Sequence, residues 1–386
     1  MQMQRGTVAE VFWAFLLLGL TSFGGPVAHL GYFREAFVDR RKWLSPEGYG
    51  DLVALCQFLP GPASSQVGIA IGKLRAGYLG ALAAWLAFTL PSVALLLVFA
   101  WGLTAFDLSA LAGPLHGLKI AALAVVVQAV WAMARSLTTD PTRQLIAIAA
   151  AILVLLVPLP LMQVVVLAVA ATAGALLPAE PAKPLQLSRD GLPWLIAFFA
   201  LLLVLPLLAL TGDPVIEVID AFYRTGSLVF GGGHVVLPLL EGETVTPGLI
   251  SSDVFLAGYG AAQAVPGPLF AFSAYVGALL QGPVNGLFGA MLALLAIYVP
   301  SFLLVFGVLP LWQQLRGIAR IRRALDFANA AVVGLLLAVL YDPVFTSAVI
   351  GPLDFAWALA AFALLVVLRL PPWLVVLLSA GVGFVL

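Results

Sequence analysis

Thirteen apolar runs of roughly membrane-spanning length divide this chain, and no other feature restricts its fold as much. A helix crossing a bilayer takes about 20 apolar residues, because every backbone polar group must be bonded within the segment. The first six runs cover 8–29, 48–72, 76–101, 115–134, 144–157 and 161–177. A polar, proline-bearing stretch at 178–191 reads as a linker, and one run stands alone at 192–210. The last six cover 215–236, 252–280, 284–309, 325–340, 353–368 and 373–386. Only 9% of the 386 residues are charged, against about 25% in soluble domains. That is too few to coat a soluble body, so the expected fold is an all-α polytopic membrane protein with the lipid bilayer as partner. The first run follows a stretch whose only charge is Arg5, has no small-residue cleavage site, and reads as a retained helix.

Several function classes drop out. Eighteen basic and eighteen acidic residues cancel without a basic block, which excludes nucleic acid as a partner. Cys56 is the single cysteine and there are three histidines, so neither a disulfide framework nor a metal centre is expected. The sequence has no phosphate loop, no His-Glu-x-x-His motif and no Gly-x-Ser-x-Gly turn. It is read as a non-enzyme without cofactors.

The chain repeats itself. Phe23-Gly24-Gly25 returns as Phe230-Gly231-Gly232, and Gln57 through Pro60-Gly61-Pro62 returns as Gln263 through Pro266-Gly267-Pro268. Ser45-Pro46-Glu47 aligns with Ser251-Ser252-Asp253, and Pro91-Ser92 with Pro300-Ser301. The order is kept and the offset stays near 206–209 residues, the mark of an internal duplication. The domain reading is an N-terminal repeat at 1–178, a linker with one connecting helix at 179–213, and a C-terminal repeat at 214–386. With six segments per repeat and one odd helix between them, the second repeat is expected to be inverted, as in many secondary transporters. If every run crosses once, twelve Lys and Arg share the N-terminal side and six, including Arg34, Arg40, Arg41 and Lys42, fall opposite. That predicts a cytoplasmic N-terminus and a periplasmic C-terminus, with the Arg34–Lys42 cluster as the exception.

Glycine and proline inside spanning helices free backbone groups that hydrocarbon cannot satisfy. Such breaks fall at matching places in both repeats, with broken or re-entrant helices expected at each. They are Thr21-Ser22-Phe23-Gly24-Gly25-Pro26, Gln57 to Pro62, Phe230-Gly231-Gly232-Gly233-His234 and Gln263 to Pro268. Matched breaks are the best sequence pointer to a transporter site, and exposed helix N-termini suit an oxyanion. The candidate substrate-binding residues are therefore Thr21, Ser22, Phe23, Gly24, Gly25, Pro26, Gln57, Pro60, Gly61, Pro62 and Ser64 in the first repeat. In the second they are Phe230, Gly231, Gly232, Gly233, His234, Gln263, Pro266, Gly267 and Pro268. Gln57 and Gln263 either donate to substrate or cap freed backbone. His234 either carries a proton or is merely hydrogen-bonded. Arg75 either attracts the anion or anchors the interface.

Together these motifs resemble the chromate ion transporter family in its long, two-domain form. The resemblance rests on Phe23-Gly24-Gly25-Pro26 with His29, Arg41-Lys42-Trp43-Leu44-Ser45, Leu55-Cys56-Gln57 before Pro60-Gly61-Pro62, Arg75-Ala76-Gly77 and Leu90-Pro91-Ser92. In the second half it rests on Phe230 to Leu239 and Ala262 to Phe270, so it covers essentially the whole chain. It implies a multi-pass carrier of the bacterial inner membrane that exports chromate and confers chromate resistance. Sulfate is the look-alike substrate, an uncoupled anion channel is the alternative mechanism, and a homodimer is left open. Ala63 stands where family members often carry a polar residue, which puts a side-chain ligand there in doubt.

Overall fold

A computed structural model describes residues 5–23, 25–105, 112–157, 162–177, 190–230, 233–312 and 318–385. The described residues are helical throughout, with no strand among them. The first repeat holds α1 (Val8–Thr21), α2 (Gly25–Arg34), a π-turn (Glu35–Arg40), α3 (Pro46–Phe58), α4 (Ala63–Ala105), α5 (Ala112–Leu137), α6 (Pro141–Leu156) and α7 (Met162–Leu176). After the connecting α8 (Leu192–Ala209) come α9 (Pro214–Leu228), α10 (Val236–Leu240), a π-turn (Glu241–Val245), α11 (Ser252–Ala264), α12 (Phe272–Leu279) and α13 (Gly286–Val308). The chain ends with α14 (Ala319–Val339), α15 (Pro352–Val366) and α16 (Pro372–Val382). Among the described residues five stretches are long and apolar enough to cross a membrane: Ala63–Leu103, Ala112–Leu137, Leu192–Ala209, Gly286–Leu311 and Ala319–Ala348.

Four of the thirteen runs are not single helices. Those at 8–29, 48–72, 215–236 and 252–280 each break at their motif; in the first, second and fourth, proline supplies no amide and Gly25, Gly61 and Gly267 leave helical geometry. The pieces fold back on one another. The Tyr275 hydroxyl of α12 donates to the Val254 carbonyl near the start of α11, 2.7 Å away, which a straight broken helix could not allow. In the first repeat the ring of Phe15 on α1 meets Phe33 and Phe37 beyond the break, at 5.5 and 4.8 Å. α4 itself reverses at Ala76 and Gly77, where φ of +69° at Gly77 turns the chain. Its first limb, 63–75, thus packs against the start of the second, 78–105, with Gly72 beside Gly80. Helix starts follow local chemistry: the hydroxyls of Ser45 and Ser251 cap α3 and α11 by accepting from Gly48 and Val254 amides. That explains why this pair recurs in the repeat.

These reversals correct one expectation. Arg34 to Lys42 do not lie opposite Arg75. The Gly6 amide donates to the Arg75 carbonyl at 2.9 Å, Arg75 pairs with Glu10, and its guanidinium stacks 4.8 Å from the Trp43 ring. The cluster therefore shares one end of the molecule with the N-terminal segment, because α1 and α2 form a hairpin and not a crossing. α8 starts near that end, with Trp194 5.4 Å from Tyr78 at the head of the second limb of α4. It finishes beside Pro214, Glu217, Leu249 and Gln281, where the second repeat begins.

The two repeats interlace. α5 packs on α15 and α16, while α14 packs on α6 and α7. Glycine makes these approaches close: a Cβ on Gly117 would strike the Ser379 carbonyl, and one on Gly334 the Ala147 carbonyl. Lys119–Asp253 (2.9 Å), His116–Asp354 (2.8 Å) and Arg143–Asp326 (2.8 Å) add polar ties across the same interface.

Candidate functional site

The four breaks meet in the middle of the molecule, and they meet across the repeats. The Gly61 amide of the first Pro-Gly-Pro tip donates to the Val229 carbonyl at the end of α9, 2.6 Å away. Reciprocally, the Gly267 amide of the second tip donates to the Ser22 carbonyl at the end of α1, 2.9 Å away. Both glycines sit at positive φ, +118° and +98°, where a side chain would be strained. A Cβ on Gly61 would also crowd Gln66 and Ser301, and one on Gly267 would strike Ser92. These two amides are already engaged and do not point freely at a substrate.

Beside the tips lies a cavity of about 630 Å³. It gathers six of the sequence candidates, Phe23, Gly25, Pro26, His234, Gln263 and Gly267, with Gln128 of α5 and Arg369 after α15. Its described lining contains one arginine and no carboxylate, so it favours a negative guest. α2 begins at its wall, and first-turn amides of a helix have no partner within the helix. The Gln263 amide nitrogen is buried without a hydrogen-bond partner, a donor ready for an oxygen. His234 also lines the cavity and holds the Tyr259 hydroxyl through Nδ1 at 2.8 Å. At Arg369 the backbone takes φ +54°, closing α15 where glycine is usual, while the Leu370 amide donates to the Leu364 carbonyl.

The other candidates lie elsewhere. Ser64 is buried against His29, whose Nδ1 lies 3.4 Å from the Ser64 hydroxyl and whose Nε2 lies 3.2 Å from the Ser22 carbonyl. Those contacts fit one tautomer, with the Ser22 carbonyl accepting from Nε2. The Pro60 and Pro266 carbonyls accept from Gln66 and from Ser92, each at 2.6 Å, and those of Pro62 and Pro268 accept from the amides of Gln66 and Ala271. Phe230 packs at the rim of the hydrophobic core, and Gly233 opens a short turn, Gly233–Val235. Thr21 is exposed and donates to the Leu17 carbonyl, and Gln57 is exposed. Arg75 belongs to the N-terminal end, not to the cavity. Gly24, Gly231 and Gly232 lie outside the described residues. Arg369 and Gln128 were not among the sequence candidates; the proline pair after Arg369, Pro371-Pro372, was the available signal of a fixed turn.

A model of the chromate transporter family matches residues 9–175 and 216–384, most of the chain in two blocks. The chain belongs to the chromate transporter family. A chromate transport protein of Pseudomonas aeruginosa is 27% identical over 360 residues, covering 86% of this chain and 80% of that protein. A chromate transport protein of Cupriavidus metallidurans is 27% identical, covering 85% and 80%. An uncharacterized transporter of Methanocaldococcus jannaschii is 26% identical, covering 86% and 83%. No solved structure matches the chain. For a chromate transporter, the apolar helices and the family together mean a multi-pass membrane protein.

Proposed function

We propose that the chain is a secondary transporter that binds chromate, or a tetrahedral oxyanion like it, in the cavity beside the four helix breaks. The observation that carries this reading is the lining: an arginine, an unpartnered amide donor and a helix start face a space with no carboxylate among the described residues. Donors of this kind recognise charge and size, so sulfate is the competing substrate. Its volume leaves room for water around the anion, which lowers the demand for direct ligands.

The inverted arrangement of the repeats belongs to the same reading. It is supported by α8, whose 18 residues run about 27 Å from Tyr78 to the Gln281 end. It is supported too by the reciprocal Gly61 and Gly267 bonds. On that plan the described Lys and Arg residues, apart from Lys119 and Arg224, fall toward the end that carries Arg75. Such a bias supports a cytoplasmic face at that end, with the N-terminus inside. The cavity, with Arg369 at its rim, then opens inward, as an exporter's loading state requires.

The test is flux of labelled chromate and sulfate into proteoliposomes of purified protein, with and without an imposed pH gradient. Saturable chromate flux that Gln263→Ala weakens supports the reading. Flux of neither anion by folded protein overturns it, and flux without saturation or gradient-driven accumulation makes the protein a channel.

A further inference from the structure

A second polar site lies away from the cavity, within the hairpin that opens the second repeat. Arg224, on α9, donates to two carboxylates at once: Asp220 one turn earlier and Glu243 on the π-turn Glu241–Val245, both at 2.9 Å. All three are shielded, with side-chain exposures of 19%, 7% and 15%. Two acids against one base leave one negative charge in excess. The Nε of Arg224 is buried with no hydrogen-bond partner, so the base is not fully used by its own acids.

The scaffold does not require these charges. At the repeat-related positions the first half carries Trp13, Leu17 and Phe37. There the same hairpin is closed by Phe37 packing against Phe15 and Phe33, with Trp13 and Leu17 exposed. A buried ion network is a poor way to add stability, since its desolvation penalty can exceed the attraction gained. Shielded ionisable groups inside a membrane protein are the default candidates for a functional site.

The triad is open to one end of the molecule. A groove of about 340 Å³ reaches Asp220, Arg224 and Glu243 from the rim formed by Leu210, Glu217 and Gln281. The neighbours on every packed element are known. α8 and α13 bring no charged residue, the turn before α13 brings the neutral Gln281, and α9 adds Glu217 and the helix-capping Asp213. Glu241 faces Thr246 and a separate cavity with Asp342. Tyr223 is tied to the Phe198 carbonyl. One proton on either acid would balance the triad. Arg224 lies little more than one turn before Val229, whose carbonyl holds the first Pro-Gly-Pro tip.

We propose that Asp220, Arg224 and Glu243 form a proton-binding site that couples oxyanion movement to the proton gradient. The coupling half of this inference rests on the transport reading above. The proton half does not, and the test separates them. Infrared titration of purified protein in detergent reads carboxyl protonation directly. Glu243→Gln and Asp220→Asn are each expected to remove one titrating carboxyl, because the remaining acid then matches Arg224 one to one. In proteoliposomes the same variants are expected to keep chromate exchange but to lose accumulation under a pH gradient, the ratio falling to unity. Titration identical to wild type in both variants overturns the site. So does gradient-driven accumulation that survives in both variants. Wild-type protein that moves no oxyanion overturns the transport reading, and the infrared titration alone then decides whether the triad binds a proton.

Discussion

At the scale of single residues the informative positions are those whose local chemistry is at odds with their surroundings. Arg369 occupies a left-handed backbone conformation that glycine would take without strain, and it does so at the edge of a cavity whose described lining holds no acid. A side chain in that region costs about 1 kcal/mol, so Arg369→Gly should leave thermal stability unchanged or slightly raised. It should nonetheless raise the chromate concentration needed for half-maximal flux. Melting and flux measured on the same preparation check this, and a variant that loses stability in step with flux refutes it. Gln263 was legible from sequence because it precedes a Pro-Gly-Pro element. Arg369 was not, because in the sequence it is one more interfacial arginine and only the fold brings it beside Phe23 and His234. Arg75 shows the reverse: its motif context pointed to the site, yet Glu10 and Trp43 hold it at the end of the molecule.

At the scale of elements, the breaks were readable and the reversals were not. Proline and glycine announce where a helix must stop, but not whether the next piece continues or turns back. That depends on distant side chains such as Phe33 and Tyr275. The same ambiguity caused the misplacement of Arg34 to Lys42. The tips also give a graded prediction. Gly267→Val meets both positive φ and the Ser92 hydroxyl, so it should abolish folding or flux. Gly25→Ala meets positive φ with nothing within 4 Å of the added carbon, so its penalty should be about 1 kcal/mol. Parallel size-exclusion and flux assays rank the two, and a Gly25→Ala protein as damaged as Gly267→Val contradicts the geometry. Between elements, Gly117→Leu forces α5 off α16, and overpacking of this kind typically costs about 1–3 kcal/mol.

At the scale of the whole molecule, the duplication was visible in spaced motifs, whereas the exchange of helices between halves left no trace in either half alone. The faces of α5 and α14 that look like ordinary lipid-facing apolar stretches are covered by the opposite repeat. Residues 1–189 expressed alone should therefore fail to give a monodisperse protein, while co-expression with 190–386 should restore it. Independent folding of the first segment would mean that the interlacing is dispensable. The reciprocal bonds from Gly61 to Val229 and from Gly267 to Ser22 have a mechanical consequence. Pulling the tips apart would break both bonds at once, at about 1 kcal/mol each, and would expose four backbone groups. Rolling the outer helices about the tips breaks neither. A rocking transporter would therefore be expected to turn about the joined tips as about an axle.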